Sequence, residues 1–597
     1  MKKTELSLLL VVLLSSSTFA KNVELEKITI TTPTKSEQSL LNTTANVDVI
    51  TSQQLEMRGY KTLGEALSTI SGIQVSQNGG FGQSNSIKIR GFDSKRVLVL
   101  VDGIRYNNPT SLSGAQFSDL LTSNIEQIEI VKGPQSGIWG ADASAGVINI
   151  ITKKATQDGF RASINGEYGT YNTQKYGLNT SYKQDFFDIS LNLQRLTSDG
   201  FSAQVPKGEL AKNYEDDGYE NSSADIRVGL NISKKDRVEL FYNIIDSKTD
   251  FDGWNAPDDK NETAESKEQF FGVSYSRNAD NYKTKLYLNR SKFERYYPNS
   301  FYTKNFDGNV DEAGFNGEFN YLGSSVFGGG FDYKVFNHDN EISKDYTNEG
   351  VFLTNTNLFN EKRTTFTQNV RYDKFDTFDN KLTYKIGLKH DHVKIEDFVA
   401  SVNYATAYNV PTLYHLYDAT YGNAGLNAEQ TVGFDVTLDY KGIGITYFSN
   451  EIDEMIDYDF ATSKYNNIKG KSKLSGVEIS HSNFIDFAGL AYGLNYTYLK
   501  AEDANGKKLA NRPKDSANLS LDYYGVESLH IGTLIRYVGK RDKQSSYTIV
   551  DITTAVDVSD RLNIYAKMDN ALRKQYQDIS GYGTNLLAFY LGFRYKM

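Results

Sequence analysis

The side chains best suited to acid–base chemistry lie in the run LKHDHVK, where His390 and His392 flank Asp391. A hydrolase needs a nucleophile, a base and an orienting acid brought together, and this group would supply the last two. On a β-strand, however, residues 390 and 392 share one face while residue 391 points to the opposite face. We therefore interpret the run as an ordinary polar strand and expect no enzymatic activity.

Other chemical signatures are also weak. The chain has no cysteine, so neither a disulfide framework nor thiol chemistry is available. The loop NGGFGQSNS, residues 78–86, is rich in glycine but lacks the lysine and the helix start of a phosphate-binding loop. A net charge of -9, without a sustained basic stripe, argues against a nucleic-acid partner.

The composition favours a membrane barrel. The chain contains 41 tyrosines and 33 phenylalanines, yet charged residues still make up 23% of it. Such a mixture is typical of barrels that have aromatic girdles at the membrane interfaces and polar loops and lumens. Beyond the N-terminus, no apolar run approaches about 18 residues, the minimum for a spanning helix. A membrane location would therefore require a β-barrel.

From residue 158 onward the chain consists of runs of about ten residues with period two, separated by Asn, Asp, Gly and Ser. These 440 residues, at roughly 20 per strand and turn, give on the order of 22 strands. The predicted fold is mainly β, an antiparallel transmembrane barrel over residues 158–597. The final run shows the pattern most clearly, with a lipid-facing set made of Leu587, Phe589, Leu591, Phe593, Tyr595 and Met597.

A compact domain precedes the barrel. Thr51 or Ser52 is suited to cap a helix, and two helices and a strand are expected before the glycine-rich loop. A barrel of this size has a lumen wide enough to need a plug, so residues 47–157 are predicted to form a mixed α/β plug inside it. Its apolar, β-branched, strand-like runs are Ile87–Ile89, Val97–Val101, Ile125–Val131 and Gly146–Ile151.

The N-terminus has the pattern of a secretory signal peptide over residues 1–20. Two lysines precede an apolar run, and small residues follow up to Ala20, where cleavage is expected. The segment after it, residues 21–46, contains the β-prone run LEKITITT. By itself this run favours an ordinary edge strand, although a strand at a free terminus can also add to the sheet of a partner.

Four motifs carry a resemblance to a known family: IKIRGF, VLVLVDGIR, IEQIEIVKGPQSGIWGADASAGVINIIT and YGNAGLNAEQT. Together they resemble the TonB-dependent outer-membrane receptors. The resemblance implies a monomeric receptor in outer-membrane lipid, energised by TonB and its inner-membrane complex, and it reverses the preference for a plain edge strand. The TonB box that it implies comprises Glu26, Lys27, Ile28, Thr29, Ile30, Thr31 and Thr32.

Within that family, the run QNGGFGQSNSIKIRG at residues 77–91 resembles the plug of the receptors for cobalamin, vitamin B12. The resemblance implies binding of cobalamin or a related corrinoid at the cell surface, followed by energised import with no covalent chemistry. Affinity for so bulky a ligand would come from many loop contacts. The substrate contacts that it implies are Ser84, Ser86, Asp93, Ser111, Leu112 and Gly253.

Rival cargoes are a ferric siderophore or haem. His415 lies in a segment where haem receptors of the family often carry a ligand histidine. However, none of the six histidines precedes residue 338, so the plug offers no imidazole as a second axial ligand. A siderophore stays open, whereas the plug argues against a passive porin and against a barrel enzyme.

The runs NYEDDGY at residues 213–219 and TDFDGW at residues 249–254 resemble the loops that hold two calcium ions in cobalamin receptors. Calcium takes six to eight oxygen ligands, which suits carboxylates from two adjacent loops. Ser202 stands where the family has an aspartate, so the number of ions stays open, as does a plain solvated acidic loop. The ligands that the resemblance implies are Asn213, Glu215, Asp217, the backbone of Phe251, Asp252 and Asp259.

Overall fold

The computed structural model describes residues 28–597 apart from 254–255, 301–303, 323–324, 341, 393–394, 396 and 543. The predicted signal peptide and the first two residues of the predicted TonB box, Glu26 and Lys27, lie outside the described residues. Within the described part of the chain, no helix is long and apolar enough to cross a lipid bilayer.

The N-terminal region is built from short elements, with 3₁₀ turns at Leu40–Asn42, Ser94–Arg96 and Phe117–Asp119. The strands and helices are β1 (Thr29–Ile30), β2 (Gln38–Ser39), β3 (Asn46–Thr51), α1 (Ser52–Arg58), α2 (Leu63–Leu67), β4 (Ile73–Gln77), β5 (Asn85–Ile89), β6 (Val97–Val101), β7 (Ile104–Arg105), β8 (Ile125–Lys132), α3 (Ser136–Trp139) and β9 (Gly146–Thr152).

The core of this region is a five-stranded mixed sheet in the order β3-β8-β9-β6-β7. Only β6 and β9 are parallel neighbours, while β4 and β5 form a separate antiparallel pair. The predicted helix begins as expected, because Thr51 accepts a hydrogen bond from the Gln54 N–H in a capping box. The mixed α/β plug predicted from the sequence is confirmed.

In the described part of the remaining chain, the regular elements are strands joined by turns and loops, together with α4 (Leu413–Tyr417) and 3₁₀ turns at Ala211–Asn213 and Asp486–Ala488. The strands are β10 (Gly159–Gly169), β11 (Thr173–Gln184), β12 (Phe187–Ser198), β13 (Tyr219–Asn231), β14 (Asp236–Asp250), β15 (Thr263–Asn278), β16 (Tyr282–Tyr296), β17 (Asn305–Tyr321), β18 (Ser325–His338), β19 (Lys344–Phe359), β20 (Thr364–Phe375), β21 (Lys381–Asp391), β22 (Phe398–Asn409), β23 (Glu429–Tyr440), β24 (Ile443–Asp459), β25 (Lys464–Ile485), β26 (Leu490–Glu502), β27 (Asp515–Tyr523), β28 (Leu529–Val538), β29 (Tyr547–Asp557), β30 (Leu562–Asp569) and β31 (Ala588–Lys596).

Strands β10–β31 close into one antiparallel barrel, in which the last strand pairs with the first. This confirms the predicted 22-stranded barrel. The predicted lipid face is also confirmed in β31, since Phe589 and Leu591 are 51% and 62% exposed while Tyr590 between them is 4% exposed. Alternation of this kind is what a lipid-facing side and a filled lumen require.

The two ends of the barrel differ in the length of their connections. One end has tight turns, such as residues 185–186 and 441–442, while the other has long loops at residues 199–218, 410–428 and 570–587. Because outer-membrane barrels have short periplasmic turns and longer outer loops, the long loops mark the cell-surface end. The chain ends at the turn end, which is therefore periplasmic.

Buried ion pairs join the plug to strands β23–β25, which we name the clamp wall. Arg90 donates from Nε and Nη2 to the Glu478 carboxylate at 2.9 and 3.1 Å, and the Lys132 ammonium lies 3.2 Å from the same group. Arg96 makes a bidentate contact with Glu429 at 2.8 and 2.5 Å. Planar fork-to-fork pairs of this kind fix orientation as well as position.

Candidate functional site

Two plug loops, residues 78–84 and 106–116, lie at the cell-surface end of the lumen. The first is closed at its base by the Asn78 N–H, which donates to the Ser84 carbonyl at 3.0 Å. Gln83 donates to the carbonyl of Asp250 at 2.7 Å, which ties this loop to the upper end of β14. The loops therefore present part of the plug to the outside, next to the loops of the barrel.

The predicted substrate contacts lie at this end but in different surroundings. Ser84 is exposed at the base of the first loop, whereas Ser86 lies within β5, half-buried, and accepts a hydrogen bond from Lys88 at 2.9 Å. Ser111 is 9% exposed and Leu112 is half-buried. Of these four residues, Ser84 offers the most accessible side chain.

Asp93 is engaged with the protein itself. Arg512 of the barrel loop after β26 donates to the Asp93 carboxylate at 2.8 Å and to the Gly91 carbonyl at 2.6 Å, and Arg96 lies 3.3 Å from the same carboxylate. Burial raises the pKa of Asp93, but Arg512 and Lys88 outweigh it and hold that pKa below its usual range. Arg512 therefore fastens a barrel loop to the plug.

A cavity of about 370 Å³ lies between three cell-surface loops of the barrel, residues 199–218, 539–546 and 570–587. Sequence reasoning did not identify it, because its walls come from opposite ends of the barrel sequence. The rings of Tyr547 and Tyr576 pack there at a tilt of 33°, with centroids 4.3 Å apart. Aromatic, apolar and cationic side chains share its lining, including Tyr171, Phe201, Val205, Lys207, Lys212 and Lys574.

Three of the predicted calcium ligands meet beside the first plug loop. One carboxylate oxygen from each of Glu215, Asp217 and Asp252 lies within 4.8 Å of the others. Both carboxylate oxygens of Glu215 are buried without a hydrogen-bond donor among the described residues. A cluster of acids with buried, unsatisfied oxygens is a chemical environment that suits a hard cation.

The remaining predicted ligands surround this group less tightly. Asp259 is not one of the three, although its N–H donates to the Asp252 carboxylate at 3.2 Å. Asn213 is exposed in its 3₁₀ turn, and the Phe251 N–H pairs with the carbonyl of Glu262 at 3.0 Å. Gly253, which was predicted as a substrate contact, adjoins the acidic group, since its carbonyl accepts a hydrogen bond from the Gln204 amide.

Two acids of this group, Glu215 and Asp217, have raised pKa values. Burial, with Asp258 and Asp252 nearby, raises the pKa of Glu215 to about 8. Burial likewise raises the pKa of Asp217 to about 7, an effect that the Ala203 N–H reduces and the charge of Asp252 increases. Near neutral pH the group therefore needs either protons or a cation to balance its charge.

The described part of the predicted TonB box is a strand that already has a partner. In the hairpin of β1 and β2, Thr29 lies opposite Ser39 and Ile30 lies opposite Gln38. Ile30 is fully buried among apolar plug side chains. A partner protein that pairs with this segment must therefore displace contacts that the chain makes with itself.

A plug glutamate holds the end of the same segment. The Glu129 carboxylate accepts hydrogen bonds from the N–H groups of Thr31 and Thr32, each at 2.9 Å, and from the Thr32 hydroxyl at 2.5 Å. Trp139 donates from its indole nitrogen to the Thr32 carbonyl at 2.8 Å. Hydrogen bonds to a charged acceptor are stronger than neutral ones, so the resting box is firmly fastened.

The histidines considered above have structural partners. His415 is 3% exposed at the N-terminus of α4, where its Nδ1 contacts the Thr412 hydroxyl at 2.9 Å. Burial, with the charges of Lys95 and Arg96 nearby, lowers the pKa of His415 well below its usual range. Its ring packs edge-on against Tyr465. A buried capping histidine is poorly placed to ligate haem.

The comparisons with known proteins identify the family. The model described as TonB dependent receptor-like, beta-barrel, matches residues 152–571, and the model of the TonB-dependent Receptor Plug Domain matches residues 39–147. The chain therefore belongs to the TonB-dependent receptor family, whose members are outer-membrane transporters and receptors, and it is an outer-membrane protein.

Individual relatives match the whole chain at low sequence identity. The vitamin B12 transporter BtuB of Vibrio cholerae serotype O1 is 26% identical over 628 aligned positions, which cover all of both chains. That of Photobacterium profundum is also 26% identical over full length.

Among solved structures, a variant of the ferric enterobactin receptor PfeA from Pseudomonas aeruginosa has a TM-score of 0.79 at 17% identity, covering 92% of this chain and 99% of that one. The siderophore receptor PirA from Acinetobacter baumannii has a TM-score of 0.79 at 16% identity, covering 92% and 98%. At such identities the likeness concerns the fold.

Proposed function

We propose that this receptor binds cobalamin or a related corrinoid at the cell surface and imports it with energy transduced by TonB. The observation that carries the proposal is the full-length similarity to vitamin B12 transporters. The siderophore receptors share the fold at 16–17% identity, which carries no argument about cargo.

The lining of the cell-surface cavity supports this cargo. Cobalamin is large, amphipathic and close to neutral. The aromatic cavity between the barrel loops supplies the apolar surface that such a ligand buries.

The proposal includes a calcium site at Glu215, Asp217 and Asp252. These carboxylates come from two loops, so a cation held between them would cross-link the loops and order the surface beside the plug. Gln204 ties the group to its surroundings, because its N–H donates to the Asp252 carboxylate at 2.6 Å. Calcium would supply charge balance there and no catalytic chemistry.

Titration of the purified protein with cobalamin, with and without calcium, tests both parts. We expect saturable binding that tightens when calcium is added, and weak or no binding of a ferric catecholate. A Ser84→Trp variant should bind more weakly because it adds bulk at an exposed position of the first plug loop, whereas Asp560→Trp in a periplasmic turn should bind normally.

A strain that lacks the protein tests the same proposal in cells. We expect it to lose uptake of trace cobalamin while keeping uptake of iron chelates. Normal cobalamin uptake in that strain would contradict the cargo assignment and leave the family assignment intact.

A further inference from the structure

A cavity of about 840 Å³ lies between the plug and the strands β14–β17, which we name the cavity wall. Gly103 and Ile104 of the plug line it, together with Gly272 of β15 and Asn289 of β16. It lies toward the periplasmic end, because Ile28 and other residues of the predicted TonB box border it. Its volume is in the range of pockets that hold sizeable ligands, about 300–1,000 Å³.

A column of side chains on β16 runs from this cavity to the cell-surface end. Alternate residues of a strand share one face and lie about 7 Å apart. Each of the three residues above the cavity contacts a different part of one plug segment, residues 102–111. In order from the cavity outward, the column is Asn289, Ser291, Phe293 and Arg295.

The contacts of this column follow the plug segment residue by residue. Ser291 donates to the carbonyl of Arg105 at 2.6 Å, and Arg295 donates to the hydroxyl of Thr110 at 3.2 Å. The next residue is Ser111, a predicted substrate contact. A single stretch of ten residues therefore separates the candidate cargo site from the cavity below it.

An aromatic group closes the middle of this stretch. Tyr106 is fully buried, stacks on Phe270 at 5.2 Å and meets Phe293 edge-on at 6.2 Å. Its hydroxyl contacts the Glu268 carboxylate and donates to the Gln116 carbonyl at 3.1 Å. On the periplasmic side of this group, the side chain of Ile104 packs against Gly272. A Cβ added at Gly272 would lie 3.0 Å from the Cδ1 atom of Ile104.

The segment lies at the edge of the plug sheet, where Asn107 exchanges hydrogen bonds with Val97 and Val99 and Arg105 pairs with Asp142. Its strand β7 has two residues and lies at the edge of the five-stranded sheet, paired with β6 alone. The β6–β7 turn has φ values of +51° at Asp102 and +82° at Gly103, as a tight hairpin requires. One ion pair, Asp102 to Arg227 at 2.6 Å, anchors the turn to the barrel.

We propose that cargo crosses the lumen along β15 and β16, through movement of residues 102–111, with Tyr106, Phe270 and Phe293 closing the route above the cavity. This rests on the proposed function, since import requires a way past the plug. Removal of a two-residue edge strand leaves the other four strands of the sheet paired. Withdrawal of the TonB box would widen the cavity at its periplasmic mouth.

A cross-link between residues 102–111 and the cavity wall tests this proposal. The chain has no cysteine, so Ile104→Cys with Gly272→Cys creates the only possible disulfide, and the substitution at 104 removes the atom that a Cβ at 272 would meet. We expect the oxidised variant to bind cobalamin normally, to lose uptake to the level of the deletion strain, and to regain it on reduction. A short bis-maleimide linker tests the same pair independently of disulfide geometry.

The matched control joins the plug to β20, away from the cavity wall. A Cβ at Gly137 lies 3.7 Å from the Cβ of Asn369, within the range for a disulfide. We expect Gly137→Cys with Asn369→Cys to import cobalamin even when oxidised. Cobalamin uptake by the cross-linked variant Ile104→Cys with Gly272→Cys would show that the cargo takes another route. Loss of uptake in both cross-linked variants would contradict the proposed local route and show that the whole plug moves. If the unsubstituted chain imports no cobalamin, the proposed function fails before any cross-link is made.

Discussion

The clamp wall and the cavity wall hold the plug by opposite means. On the clamp wall, buried guanidinium and ammonium groups meet buried carboxylates at Glu429 and Glu478. On the cavity wall, the plug meets the barrel above an open cavity through an aromatic stack and through hydrogen bonds that include Tyr106 to Glu268 and Arg295 to Thr110. The buried pair of Asp102 with Arg227 lies beside this wall, on β13. Among the described residues, no buried ion pair joins the plug to β14–β17.

This difference indicates which side of the plug yields first. Separating a buried ion pair leaves uncompensated charge in a low-dielectric lumen, which costs several kcal/mol. Aromatic and neutral contacts are each lost at about 1 kcal/mol. A pulling force should therefore open the cavity wall while the clamp wall still holds the plug in the barrel.

The largest effect on transport is expected at the predicted TonB box, through which TonB would pull on the plug. Ile28→Pro removes a backbone N–H from the strand that TonB must pair with, so transport should fall to background while cobalamin binding is unchanged. Uptake assays and ligand titration on the same preparation measure the two effects. Ile28→Val keeps the N–H and should transport normally, and full transport by the proline variant would mean that the box is misplaced.

Breaking the clamp wall should affect stability most. Glu478→Ala removes the carboxylate that Arg90 and Lys132 share and leaves each with one other partner, Asp435 and Asp48, so the cost should lie at the lower end of about 3–5 kcal/mol. Thermal unfolding and protease sensitivity of the plug report the loss. The matched variant Glu451→Ala removes an exposed partner of Lys471 on the neighbouring strand and should change little, since exposed ion pairs contribute little. Equal stability of the two variants would contradict a stabilising role for the buried ion pairs of the clamp wall.

A smaller effect is expected on the cavity wall. Tyr106→Phe removes the hydroxyl that contacts the buried Glu268 carboxylate, at a cost of about 1–3 kcal/mol. Because the change is local, hydrogen exchange should speed up in residues 102–111 and stay unchanged in residues 88–96, which face the clamp wall. A uniform increase across the plug would show that the two walls are not independent.

The smallest effect concerns the upper end of the cavity wall, where the acidic group adjoins β13 and β14. Raised pKa values of about 8 for Glu215 and about 7 for Asp217 mean that protonation stabilises the folded loops at low pH. That contribution is complete below the ordinary carboxyl range and is lost as pH rises through about 7 and 8. Calcium competes with these protons, so its affinity should rise over the same interval.

Calcium titration across that interval measures the effect, with a change of about tenfold per pH unit for each proton displaced. Asp217→Asn should abolish the pH dependence at its lower end. Asp216→Asn removes the same charge from an exposed neighbour and should leave it intact. An affinity independent of pH would exclude these acids as ligands.

The sequence predicted the barrel and the plug because both depend on local patterns. Strands of about ten residues with period two require only that alternate residues face lipid, as Phe589 and Leu591 do. The strand Val97–Val101 was predicted with the bounds that it has in the structure. Patterns of this kind are visible one segment at a time.

The two walls could not be predicted, because they depend on pairs far apart in the chain. Nothing near Arg90 indicates that its partner is Glu478, since many lumen positions carry acids at the same spacing. The cavity is a space between the plug and the barrel, so no sequence pattern indicates it. For the acidic group, resemblance indicated Glu215, Asp217 and Asp252, which the structure brings together, while Asp259 adjoins them through its N–H.

The pairing of β31 with β10 determines how the barrel closes. At this seam the Met597 N–H donates to the carbonyl of Ala162 at 2.8 Å. While the seam is open, the first and last strands each have an unpaired edge that is prone to wrong partners. Because the plug lies inside the barrel, the seam must close around it, and loss of β31 would leave both edges exposed.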